Sequence, residues 1–177
     1  MALLWGVIPR ELPQLTDTDA LVDWVTGDLM ANGLCSPGER IVIVYPVYYL
    51  GLPSIVQRFV ARFDFSHFAA IYSVCTSGDN DGPDCSTFKI KKALRKKGKR
   101  LAGGFNVQMP GNYIKMYDMA SQGEIDGILA RSSAKAQAIA ETIRADGTRE
   151  KRDKLLPLAF AINGVWQSRV HTSDRNY

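Results

Sequence analysis

The chain has 177 residues, 46% hydrophobic and 23% charged, which fits one globular domain with a sizeable core. No apolar run approaches a membrane-spanning helix, and the apolar start at residues 2–8 has no basic residue before it, so it makes a poor signal peptide and the expected compartment is the cytoplasm. Three scattered cysteines (35, 75 and 85) form no CxxC pair and have only His67 and His171 for company, which leaves almost no material for an iron–sulfur cluster or a zinc site; each cysteine reads as a reduced, packed thiol.

Residues 2–8 can form a short strand. Thr16, Asp17, Thr18 and Asp19 offer N-caps for a helix with Ala20, Leu21, Trp24, Val25, Leu29 and Met30 at helical spacing, closed by Gly33. A Pro37-Gly38 turn follows. Residues 41–44 are a continuous β-branched run, the pattern of a strand buried on both faces. Pro53 then opens a helix whose apolar stripe is Ile55, Val56, Phe59, Val60 and Phe63.

Residues 68–74 predict the next buried strand, which empties into a polar loop over 75–84. A basic helix follows. Ser86 or Asp84 can cap it, Gly98 can end it, and Phe88, Ile90 and Leu94 mark its apolar side. Residues 89–100 hold eight Lys or Arg and no Asp or Glu, more than the whole net charge of +4. No aromatic set interleaves with those charges, so a solvated helix face is favoured over a nucleic-acid surface. A third strand is expected over 101–107, with Gly103 and Gly104 weakening it or marking a close packing contact. A long helix over 122–145 places Ile125, Ile128, Leu129, Ala136, Ile139 and Ile143 inward, and Gly147 ends it. The tail from Thr148 is basic, then apolar, then polar.

Strands alternating with helices argue for an α/β fold with a parallel sheet covered on both faces. The loops at 45–53, 75–84 and 109–113 then share one edge of that sheet, where such folds bind ligands. The first of them, Tyr45-Pro46-Val47-Tyr48-Tyr49-Leu50-Gly51-Leu52-Pro53, sets two tyrosines beside a glycine. Flat faces and a close backbone approach suit a planar, phosphorylated cofactor such as a flavin; the same residue types also serve as ordinary turn and packing residues.

That loop, with Val74-Cys75-Thr76-Ser77-Gly78, Lys96-Lys97-Gly98 and Met109-Pro110-Gly111-Asn112-Tyr113 in this order, resembles the flavodoxin-like half of the flavodoxin–ferredoxin fusion proteins. The resemblance covers about residues 39–145. It implies a flavodoxin-like three-layer sandwich over 1–147, with the first strand missing or replaced, and a C-terminal extension over 148–177. It also implies FMN held between loops 46–53 and 75–82: Pro46, Tyr48, Tyr49 and Gly51 on one face of the ring, Thr76, Ser77, Gly78 and Asp79 along its polar edge, and Asn112 nearby. The implied function is electron transfer to an iron–sulfur or ferredoxin-type partner, which the basic helix could dock; neither a nucleic acid nor a membrane is expected, and self-association is left open.

The chain departs from the family pattern twice. The Ser/Thr-Gly loop that wraps the FMN phosphate has no counterpart, since Pro9-Arg10-Glu11-Leu12-Pro13 stands after the first apolar stretch. The cysteine-rich ferredoxin module is not in the sequence. A fragment, an alternative start or a member without redox function would each read this way. The alternative reading is therefore a non-catalytic interaction module that keeps the fold and has lost flavin binding. Residues 2–8 are expected to take the place of the first strand, with 18–32 as the first crossover helix; as the edge-side strand they would instead leave a hole in the sheet for another chain to fill.

Overall fold

The computed structural model describes residues 11, 14, 18–32, 36–79, 84–111, 118, 120–148 and 156–173. The elements run α1 (Thr18–Ala31), β1 (Arg40–Pro46), α2 (Ser54–Arg62), β2 (Ala70–Ser77), α3 (Ser86–Lys96), β3 (Gly103–Gln108), α4 (Gln122–Arg144) and α5 (Leu156–Ser173). The three strands form a parallel sheet in the order β1-β2-β3, so the α/β, parallel-sheet expectation holds. Val44 pairs with Val74, and Val74 pairs with Phe105, at the centre of the register. The readings that fall on residues 2–8, Gly33, Cys35 and Asn112 lie outside the described residues.

One sheet face carries the main core. Ile43 and Tyr45 of β1 and Ile71 and Cys75 of β2 pack against Val60 of α2, Phe63 and Phe65 just beyond it, and Ile90 and Leu94 of α3, with Leu29 of α1 at the margin. Each large side chain so buried contributes about 1.5–3 kcal/mol relative to exposure. Phe63 is the hub of an aromatic cluster: its ring centroid lies 4.8 Å from those of Phe59 and Phe65 and 5.7 Å from that of Phe68. The opposite face packs Tyr72, Phe105 and Val107 under Ile139 of α4, with Ile143 beside it.

Several expectations are corrected. β1 is buried on one face only, because α4 covers β2 and β3 and leaves Val42 38% and Val44 66% exposed. Leu129 and Ala136 of α4 face outward, while Ser132 is buried and its hydroxyl donates to the Gln108 carbonyl. The residue with positive φ after α4 is Asp146 (φ 53), not Gly147, whose amide reaches back to the Thr142 carbonyl at 2.8 Å. Phe88 lies off the buried stripe of α3 and meets Phe160 of α5 edge-on. Of the two caps expected for α3, Asp84 serves: its buried carboxylate accepts from the Ser86 amide at 2.7 Å, with Cys85 at the N-cap position between them.

The glycine pair in β3 is a close-packing device. A Cβ on Gly104 would meet Thr87 Cγ2 at 2.9 Å, and one on Gly103 would meet the Tyr72 and Phe105 rings at 3.1 Å. The tail forms α5, a helix the sequence reading did not find. Pro157, Asn163 and Gly164 interrupt its apolar run, and they obscure a segment whose order comes from tertiary contacts. No described helix is long and apolar enough to cross a membrane.

Candidate functional site

Because the strands are parallel, their C-terminal ends lie together. The Val47 amide donates to the Thr76 carbonyl at 2.8 Å, and the Met109 amide donates to the Ser77 carbonyl at 2.8 Å. These two bonds stitch the loops after β1, β2 and β3 side by side. Gly78 comes so close to Gly111 that a Cβ on it would lie 3.7 Å from the Gly111 Cα. The loops that carry Pro46, Tyr48, Tyr49, Thr76, Ser77, Gly78 and Asp79 thus share one sheet edge.

The tyrosine loop is a two-residue turn. Tyr48 and Gly51 exchange both backbone bonds at 3.0 Å, and Tyr49 (φ 45) and Leu50 (φ 60) both occupy left-handed backbone. Such a turn favours Asn-Gly, and each non-glycine residue there costs about 1–2 kcal/mol. Surrounding contacts must therefore hold it. The Cys85 amide donates to the Leu50 carbonyl at 2.9 Å, and the side chains of Gln57 and Gln167 donate to the Leu52 carbonyl at 2.9 and 3.2 Å.

Asn163 of α5 is the central clamp. It is fully buried, its amide donates to the Tyr48 and Tyr49 carbonyls at 3.2 Å each, and its oxygen accepts from the Lys89 ammonium. Gly51 is buried against it, so the glycine serves the approach of Asn163. Trp166, one turn further along α5, stacks on Tyr49 with ring centroids 3.6 Å apart and planes 14° apart. Tyr49 therefore already has an aromatic partner, while Tyr48 is 53% exposed.

The β2 loop is pinned by residues the sequence reading missed. Asn106 of β3 donates to the Asp79 carbonyl at 3.2 Å, and Gln108 donates to the Gly78 carbonyl at 3.2 Å. The Ser77 hydroxyl lies within hydrogen-bond reach of the Asp79 carbonyl and of Asn106 Oδ1. A polar residue inside the strand Gly-Gly-Phe-Asn-Val-Gln was the available signal. Beneath the loops, Tyr45 hydrogen-bonds Ser86 Oγ at 3.2 Å, and the Ser86 hydroxyl donates to Asp84 Oδ2 at 3.0 Å. Burial, and then the neighbouring Cys75, push the Tyr45 phenol well above its ordinary pKa, so it stays a neutral donor.

A flavin's ring and its phosphate make different demands. Toward the first the described residues offer an exposed tyrosine, a glycine-containing backbone edge at 77–79 and an adjoining loop at 109–111. For the second, two helix N-termini are already occupied by carboxylates. At α4, Glu124 takes the anion's position in a capping box with Ser121, and at α3 the Asp84 carboxylate does the same. A cavity of about 330 Å³ beside the end of β3 is lined by that same Glu124 together with Arg131. Among the described residues, no group of three or more His, Cys, Asp or Glu side chains could hold a metal ion.

Comparison with models of known protein families, with curated proteins and with solved structures finds no match in any of the three.

Proposed function

We propose that the chain is a flavodoxin-like electron-transfer domain that holds the ring of FMN between loops 46–53 and 75–82 and passes electrons to an iron–sulfur partner. The observation that carries this reading is the stitching of three strand-end loops along one sheet edge, with Tyr48 exposed on the first of them. FMN would supply the redox chemistry, and the chain's part is to bind and orient the ring. Tyr48 offers it a flat face, while Asn106 and Gln108 fix the backbone of Gly78 and Asp79 along its polar edge. The side of α3 outside the α2–α3 groove, with Lys91 and Arg95, would present a docking face to an acidic partner.

The sequence carries no Ser/Thr-Gly loop of the kind that wraps the FMN phosphate, so riboflavin should bind nearly as well as FMN. Titration of the purified chain with each, read by quenching of flavin fluorescence, tests this. Saturable quenching by both, with affinities within a few-fold, is expected. A folded chain that quenches neither would sink the flavin reading.

One observation favours a second reading, that of an interaction module without a cofactor. Trp166 fills the face of Tyr49, so the loop's aromatic surface is partly satisfied from within the chain. That reading predicts a folded chain that quenches neither flavin.

A further inference from the structure

We propose that the groove between α2 and α3, walled by Phe160 of α5, binds a polyphosphorylated small molecule. The cavity measures about 440 Å³, a size typical of small-ligand sites. Lys89, Lys92, Lys96 and Lys97 line it together with Gln57, Phe160 and smaller apolar side chains, and no carboxylate does among the described residues.

The lysines are placed for convergence. Lys89, Lys92 and Lys96 stand at i, i+3 and i+7, which puts them on one face of α3. Two of the four are anchored to the walls. Lys89 is held by Asn163 and lies 5.9 Å from the centroid of the Phe160 ring. Lys97 donates to the Phe63 carbonyl at 3.0 Å. Lys92 and Lys96 make no hydrogen bond or ion pair with a described residue.

The helix breaks its own local rule. The segment Ser-Thr-Phe-Lys-Ile-Lys-Lys-Ala-Leu-Arg-Lys contains no acidic residue, so the helix's own sequence offsets none of this charge, and like charges repel at three- and four-residue spacing. Violations of this kind are expected at functional sites. A flat basic face would suit an acidic protein surface. Here the charge surrounds a concavity with an aromatic wall, which suits a compact anion carrying an apolar part. Lysine serves phosphate as a point charge without demanding a fixed geometry.

The inference does not rest on flavin binding. Calorimetric titration of the full chain at low ionic strength, with ADP as the probe and adenosine as the uncharged comparison, tests it. ADP should bind saturably and adenosine should not. Lys92→Gln/Lys96→Gln should weaken ADP at least tenfold with an unchanged circular dichroism spectrum. Lys91→Gln/Arg95→Gln, which removes the same charge from positions outside the groove, should leave ADP binding within twofold of wild type. No binding of ADP, equal binding of adenosine, or equal weakening by the two double variants would overturn the proposal. So would capture of a polyglutamate peptide in place of ADP, which would assign the face to an acidic macromolecule.

Discussion

Asn163 occupies the space that a side chain on Gly51 would need. A Cβ built on Gly51 falls less than 3.0 Å from three side-chain atoms of Asn163. The amide cannot simply turn aside, because two loop carbonyls and Lys89 hold it. Gly51→Ala should therefore cost about 1–3 kcal/mol, the usual range for overpacking, read as a lower urea midpoint. Asn163→Ala also destabilises, by leaving buried partners unmet. In combination the two losses should fall short of their sum, since the second change removes the clash created by the first. Strict additivity would mean that Gly51 is not held to glycine by α5.

Tyr48 and Tyr49 are adjacent in sequence and have different neighbours. Tyr49 is stacked on Trp166, so Tyr49→Ala should lose an aromatic pair of about 0.5–1.5 kcal/mol in stability. Tyr48 is the ring left open to a planar ligand. Tyr48→Ala should weaken flavin binding by about 1–3 kcal/mol, on the scale of base–aromatic stacking, with little change in urea midpoint. Parallel flavin and urea titrations of the two variants separate the roles. A loss of flavin affinity in Tyr49→Ala alone would reverse them.

The contact between α3 and the sheet gives a prediction of opposite signs at neighbouring positions. Among the described residues Ser73 Oγ is buried without a hydrogen-bond partner, beside Gly104. Ser73→Ala removes an unmet polar atom and should be neutral or stabilising by up to about 1 kcal/mol. Gly104→Ala drives a methyl into Thr87 and should cost about 1–3 kcal/mol, partly relieved by Thr87→Ser. Thermal melts of the four chains suffice. A destabilised Ser73→Ala would mean that its hydroxyl has a partner in solution.

The parts of the fold that were legible in sequence are those set by short-range patterns. β1, β2, β3 and α4 announce themselves through β-branched runs, a 3.6-residue stripe and Gly/Pro punctuation, and the alternation of strand and helix places the loops on one edge. What was not legible depends on partners far along the chain. The exposure of Val44 reflects which strands α4 covers, and no local pattern in β1 encodes that. α5 was invisible because its order comes from Asn163 and Trp166 meeting a loop more than a hundred residues away. For the same reason Gly51 could be recognised as a close-approach residue, but the object approaching it could not.

Arg40 at the start of β1 ties the end of α4 to the sheet, and this link should be visible in the pH dependence of stability. Its guanidinium donates to both carboxylate oxygens of Asp146 at 2.6 Å and to the Arg144 carbonyl at 3.4 Å. The hydrogen bonds from Arg40, more than its charge alone, hold the Asp146 carboxyl below its ordinary value. A carboxyl lowered on folding contributes stability that is present above the unfolded-state pKa, about 3.9, and is lost as pH falls through the folded value. Asp146→Asn removes the charge and keeps a residue that tolerates the left-handed backbone at this position. The difference in urea midpoint between wild type and Asp146→Asn should be constant from about pH 5 to pH 8 and shrink below about pH 4. Glu124 and Asp64, whose pKa values are also lowered, remain in both chains and cancel from the difference. Both partners are exposed, so added salt should shrink the same difference. A difference that ignores both pH and salt would leave the Arg144 carbonyl contact as the whole of what Arg40 contributes.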